Sequence, residues 1–192
     1  PPGGSITLFP DNVITSVEVE NVELLGTEDE DYPEDGGWFG PFVTNAAGTF
    51  ASKIEFDITF PQGLYRLDEG DRKGWNVQYE LQYQRINDEG ESEGAWVSGG
   101  SFSITRATGT PQRTTHEVEV ATQGRYQVRA RRTNASSDSA EVSDLCHWES
   151  VRAFLPSTKN YGDVTMLATK IRATNQRNNN NRSRIRVDKA RK

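Results

Sequence analysis

Ile54, Phe56, Ile58 and Phe60 alternate with Lys53, Glu55, Asp57 and Thr59. Strict period two of this kind means a strand with one buried face, because successive strand side chains point to opposite sides of a sheet. The pattern returns over residues 75–86, where Trp75, Val77, Tyr79, Leu81 and Tyr83 face one way and Asn76, Gln78, Glu80, Gln82 and Gln84 the other. It returns over residues 114–122, with His116, Val118 and Val120 opposite Glu117 and Glu119. Beyond Gln123-Gly124, read as a tight connection, Tyr126, Val128 and Ala130 alternate with Arg125, Gln127, Arg129 and Arg131. No segment carries a sustained 3.6-residue apolar period, and turn signals separate short strands throughout. That combination specifies an all-β sandwich or barrel and excludes a βαβ fold.

The remaining segments fill in around these strands. Residues 13–25 read as one strand, with a bulge near Asn21 to absorb a parity slip between Val17/Val19 and Val22/Leu24. Residues 27–37 carry six acidic side chains in eleven positions and read as an exposed loop. A calcium loop is the alternative there, since hard cations take several carboxylate oxygens, but the spacing lacks the Gly and Glu of the helix-loop-helix pattern. Residues 38–50 are mixed and broken by Pro41 and Gly48, and residues 68–74 read as a polar loop. Residues 96–108 form a bent strand around Gly99-Gly100, and residues 142–155 form the last strand, stopped by Pro156.

Charge divides the chain. Residues 1–155 hold 12 Lys+Arg against 26 Asp+Glu, a balance of −14, while residues 156–192 hold 10 against 2, a balance of +8; the two sum to the −6 of the whole. Such asymmetry marks two units. Residues 1–12 are expected to be a linker, 13–157 the sandwich, and 158–192 a basic extension. The basic end has Tyr161 as its one aromatic, so it lacks the stacking platforms of single-strand binders, and nucleic acid is not an expected partner. No run approaches the ~20 apolar residues of a membrane span. The start, Pro1-Pro2-Gly3-Gly4, lacks the basic and apolar regions of a signal peptide, and the chain is expected to be an excerpt of a longer one.

Chemistry is sparse. One Cys, Cys146, excludes an intrachain disulfide, and two His, His116 and His147, argue against a multi-His metal site. His116 lies on an inward strand face and reads as a packed, hydrogen-bonded ring. Cys146 and His147 are adjacent, so on a strand they point apart and cannot form a nucleophile–base pair. Glu117 and Glu119 share one strand face about 6–7 Å apart, a spacing open to a glycosidase pair but expected of any solvated sheet face. No cofactor or metal site is expected, and no enzyme. Of the four Trp, Trp75 and Trp148 fall within strand patterns and are expected in the core, whereas Trp38 and Trp96 flank acidic loops. The expected contact loops therefore contain Tyr32, Trp38, Phe39, Asp68, Glu69, Asp71 and Trp96. A carbohydrate-binding or adhesion module is the alternative reading, and it requires exposed aromatics in one plane.

Two stretches resemble a fibronectin type III domain, an immunoglobulin-like antiparallel β-sandwich. I-E-F-D-I-T-F-P (54–61) resembles that family's second strand, with Phe60 where the family usually has Trp. G-R-Y-Q-V-R-A-R-R-T-N-A (124–135) resembles its penultimate strand, with Tyr126 as the ring of a tyrosine corner. A narrower resemblance runs through F-P-Q-G-L-Y-R-L-D (60–68), G-R-Y-Q-V-R-A-R-R (124–132), W-E-S-V-R-A-F-L (148–155) and Y-G-D-V-T-M-L-A-T-K-I-R-A-T-N (161–175). In this order they look like the tail-tip attachment, or host-specificity, proteins of long-tailed bacteriophages and prophages. That resemblance implies a non-enzymatic structural module that spaces, rigidifies and displays surfaces at a virion tail tip. It further implies a trimeric hub with other tail-tip proteins, a host-cell receptor as partner, and a next module beginning at residues 158–192.

Overall fold

The computed structural model describes residues 12–156, and every regular element among them is a strand. In chain order these are β1 (Asn12–Thr15), β2 (Val22–Glu23), β3 (Phe39–Val43), β4 (Ala51–Phe60), β5 (Tyr65–Asp68), β6 (Asp71–Lys73), β7 (Trp75–Ile86), β8 (Val97–Arg106), β9 (Gln112–Arg132), β10 (Val142–Ser143) and β11 (His147–Leu155). The strands hydrogen-bond in the order β1-β11-β4-β9-β7-β8, all antiparallel, with β2 also on β11 and β3 also on β9; β10, β5 and β6 form a small separate sheet.

The 21-residue β9 organises this path. Its first half pairs with β4, from Gln112 opposite Phe60 to Glu119 opposite Lys53. The register then jumps, Gly124 lying opposite Ala51, and the second half pairs with β7 on one side and β3 on the other. A straight strand of this length would span about 70 Å at 3.3 Å per residue. Both of its ends nevertheless lie at one pole: Gln112 is beside Phe60, and Arg132 is bonded to Asp144, whose neighbour Ser143 bonds Gly63 O. β9 thus folds over at residues 120–123 and crosses from one layer to the other. The tight connection expected at Gln123-Gly124 is instead an extended, bulged corner without a break in the strand. Tyr126 braces it by donating its hydroxyl to Thr122 O, which is the tyrosine-corner geometry.

Even-numbered side chains of β9 face inward in both halves, so a single parity serves both layers. The core lies between them. Ile54, Phe56, Ile58, Phe60, Val151 and Ala153 come from one layer, and Val77, Tyr79, Leu81, Tyr126, Val128 and Ala130 from the other, all at most 4% exposed. Trp148, fully buried, is the largest of these side chains. It packs 5.5 Å from Phe42 and 5.9 Å from Phe56, so the central indole comes from β11 while Phe60 stands on β4. Trp75, expected in the core, is half-buried at its margin.

Several expected elements divide. The strand expected over residues 13–25 becomes β1 and β2, because Ser16 donates to Val43 O at 2.6 Å and Asn21 adopts φ 50°, carrying the intervening chain off the sheet. Residues 38–50 contain a strand after all, β3. The loop expected over residues 68–74 is a β5–β6 hairpin, turned at Glu69 (φ 51°) and Gly70 (φ 90°), the paired positive φ values of a type I′ turn. The last strand splits into β10 and β11 around Asp144. In immunoglobulin sandwiches the last strand lies beside the penultimate one; here β11 lies beside β4, and β3 takes the place next to the second half of β9. Asn12 opens β1, and residues 1–11 and 157–192, including the linker and basic extension, lie outside the described residues.

The outer face of the β4 layer is held by ions. Asp57 is fully buried although it points away from the core. It accepts from Arg113, from Thr115, from Ser150 at 2.8 Å and from Arg152 at 2.9 Å. Burial alone raises the Asp57 carboxyl, but hydrogen bonds from Arg113, Thr115 and Ser150 and the charge of Arg152 outweigh it, so the group titrates below its ordinary 3.8. The unfolded chain then binds a proton that the folded one does not, so this contribution is present above about pH 4 and is lost as pH falls further. Asp57→Asn is expected to cost about 2 kcal/mol at pH 7. In chemical denaturation it should also flatten the fall in stability between about pH 5 and pH 3.

Candidate functional site

The outer face of the β7 layer is built from residues that the sequence placed there. Cross-strand register sets Glu80 opposite Arg131, Gln82 opposite Arg129 and Gln84 opposite Gln127. Each pair is bonded: Arg131 to Glu80 at 2.8 and 3.0 Å, Arg129 to Gln82 at 2.7 and 2.9 Å, and Gln127 to Gln84 at 2.6 Å. Two Trp join this ladder. The Arg129 guanidinium lies 4.3 Å from the Trp38 ring centroid and 4.2 Å from that of Trp96, and Arg131 lies 4.5 Å from Trp38. Such cation–π contacts contribute about 0.5–2 kcal/mol each, depending on desolvation.

This ladder braces the acidic loop. Arg131 also donates to Gly36 O at 3.1 Å, and the single Tyr32 hydroxyl proton is shared between Gly36 O at 3.1 Å and Arg132 O at 3.4 Å. Gly37 has φ 77° and lies flat against the Tyr32 ring, where any Cβ would collide. Among the described residues no group of three or more His, Cys, Asp or Glu is placed to hold a metal ion. At the same pole, β10 pairs with β5 and holds the β5–β6 hairpin, whose Asp68, Glu69 and Asp71 are all exposed. A cleft of about 330 Å³ lies between residues 23–29 and residues 136–145, lined by Gly26, Asp29, Ser137, Asp138 and Val142. Its floor is the buried ion pair Arg132–Asp144 at 2.7 Å; Asp144 also accepts from Trp75 Nε1 and Ser137 N.

The expected contact residues thus fall into three settings. Asp68, Glu69 and Asp71 form the exposed hairpin tip. Tyr32 and Trp96 are half-buried braces, while Trp38 is only 8% exposed and Phe39 begins β3 against the core rather than lying in a loop. Arg129 covers a face of each of Trp38 and Trp96. Sequence reading placed Arg129 and Arg131 on the outward face but did not identify them as the clamps. The signal was available in the matched order Glu-Gln-Gln of β7 against Arg-Arg-Gln of β9.

The reactive side chains have structural duties. His116 Nε2 lies 2.6 Å from the Tyr79 hydroxyl, and its ring lies 3.6 Å from that of Phe102; burial holds its pKa below 6.5. Cys146 is buried, with its thiol pushed up to about 12 by desolvation, so it stays protonated and a poor nucleophile. His147 faces the other way on the neighbouring position. Glu117 and Glu119 are exposed on the outer face, Glu117 pairing with Lys53 at 3.5 Å.

Residues 40–157 match the family described as tip attachment protein J, FNIII-A domain. The chain belongs to this family. It is a fibronectin type III-like structural module of a phage tail attachment protein. No curated protein matches the chain. Among solved structures it is similar to a chain of the T13 IBDV viral particle, at 11% identity and TM-score 0.44 over 81% of this chain and 35% of that one. It is also similar to the receptor binding domain of the spike protein P1 from bacteriophage PM2, at 10% identity and TM-score 0.38 over 79% of this chain and 99% of that one. The chain thus spans about a third of the length of the IBDV chain.

Arg129→Ala is expected to free the Trp96 indole, leave Trp38 with Arg131 alone, and cost about 1–2 kcal/mol, a drop of about 2–8 °C in Tm for a domain of this size. Acrylamide quenching of Trp fluorescence should rise in the folded variant, because Trp96 loses its cover while Trp148 keeps its own.

Proposed function

We propose that this chain is a non-enzymatic receptor-attachment module at the tail tip of a phage or prophage virion. The supporting observation is the tail-attachment family match in a domain that displays a braced acidic loop and an exposed β5–β6 hairpin. Scaffold strands fix the geometry of such loops, and contact residues concentrate there. In this reading the hairpin tip Asp68, Glu69 and Asp71 meets a host-cell receptor, with Tyr32, Trp38, Phe39 and Trp96 holding the neighbouring loop in place. The module sits in a trimeric hub with further copies of itself and other tail-tip proteins. Residues 158–192 begin the next module of that hub. The carbohydrate-binding alternative loses support from the covered Trp38 and Trp96, whose stacking on Arg129 competes with stacking on a sugar.

The test is direct binding of the labelled chain to a panel of bacterial strains that includes susceptible hosts. Saturable binding to susceptible strains is expected, and simultaneous charge reversal of Asp68, Glu69 and Asp71 to Lys should weaken it at least about tenfold, equivalent to 1.4 kcal/mol. The far-UV spectrum and Tm should stay unchanged. Binding that ignores the reversal, or its absence on every susceptible strain, would refute the assignment.

A further inference from the structure

Unpaired strand edges are templates for another strand, and natural sheets blunt them with short length, charge, proline or bulges. Most exposed edges of this domain are blunted in this way. β1 has four residues; β3 carries Pro41 and a register shift between Phe39 and Phe42; β6 is Asp71-Arg72-Lys73, charged throughout. β8 is the exception. It ends the strand path, runs for ten residues and carries one charge, Arg106, at its last position. Its single bulge, at Gly99, leaves the stretch from Ser101 to Thr105 in regular register with β7. Alternate residues of that stretch direct backbone N–H and C=O groups away from β7; no described strand pairs with them, and the Arg106 guanidinium, which donates to Thr105 O at 2.8 Å, sits at the far end of the stretch.

The chemistry of the stretch indicates what it pairs with. Ser101-Phe102-Ser103-Ile104-Thr105 reads hydroxyl, apolar, hydroxyl, apolar, hydroxyl, the same in both directions about Ser103. Ser101, Ser103 and Thr105 are exposed on the outer face, and Phe102 and Ile104 pack at the margin of the core. Antiparallel pairing with a second copy about a two-fold axis at Ser103 sets Phe102 opposite Ile104, Ser101 opposite Thr105 and Ser103 opposite itself. Apolar rows continue across the join, and hydroxyls meet hydroxyls, a favourable cross-strand combination. The adjoining outer face supplies Asn76, Gln78 and Glu80, the last paired with Arg131 and opposite Ser101 rather than Ser103, so no like charges meet at the axis. We propose that β8 is a self-association edge, joining two copies of this chain into one continuous sheet. This pairwise contact is independent of the receptor-attachment reading and of any threefold arrangement.

The charge of the domain gives the contact a signature. The whole chain carries −6, so two copies repel at long range while the stretch from Ser101 to Thr105 is uncharged. Added salt screens the repulsion, and the dimer should therefore tighten with ionic strength.

The experiment is sedimentation velocity on the full 192-residue chain. At about 100 µM, a concentration suited to a modest interface, the wild type is expected to dimerise, more strongly at 500 mM than at 50 mM salt, where the screening length is about 4 and 14 Å respectively. Ser103→Lys and Ser103→Glu each place like charges opposite one another at the axis and should each weaken the dimer at least about tenfold. Their Tm values should stay close to that of the wild type, since Ser103 is exposed. An equimolar mixture of the two variants should recover dimer, which loss of folding would not allow. A monomeric wild type at that concentration, variants that dimerise unimpaired, or a mixture no better than its components would overturn the proposal.

Discussion

The sandwich depends on one strand keeping its parity through a corner. β9 sends alternate side chains inward along both halves, so the two layers share a single apolar row that includes His116, Val118, Tyr126, Val128 and Ala130. A one-residue slip at residues 120–123 would turn every inward side chain of the second half outward. The guanidinium groups of Arg129 and Arg131 would then enter the core. Tyr126 prevents this by tying its ring to Thr122 O across the bend. Its position in the core makes the corner and the packing one cooperative unit.

Both outer faces are organised as well as the inner ones. On one, Asp57 gathers Arg113 and Arg152 beneath solvent; on the other, Arg129 and Arg131 interleave with indoles. In each case a charged group gives up water and recovers the loss through several short contacts, the condition under which buried charge is tolerated. The two sides differ in what they support. The Asp57 network joins β4, β9 and β11 within a layer, whereas the Arg129 ladder reaches out of the layer to hold residues 32–38.

Period-two burial was readable wherever a strand packs on one face only, as in β4, β7 and both halves of β9. Inward and outward sets there matched in the direction they face, although Glu55, Asp57 and Gln84 of the outward sets are buried and Trp75 of the inward set is half-buried. The break between β1 and β2, and the strand β3, were not readable, because they are set by tertiary bonds to Cys146 O, Tyr126 O and the second half of β9. The hairpin at Glu69-Gly70 was obscured because Glu rarely adopts positive φ. Trp38 read as a contact residue because its neighbours in sequence are acidic, yet its neighbours in space are two guanidiniums about ninety positions away. That distinction depends on cross-strand register, which alternation alone does not supply.

The placement of β11 between β1 and β4 bears on how the fold responds to force. Asn12 and Leu155 are direct cross-strand partners, so the two ends of the described fold are only about 5 Å apart. A force that drew Asn12 and Leu155 apart would meet β1 and β11 end-on, opening them like a zipper, one rung after another, and leave the lobe with its cleft and hairpin untouched until those rungs are spent.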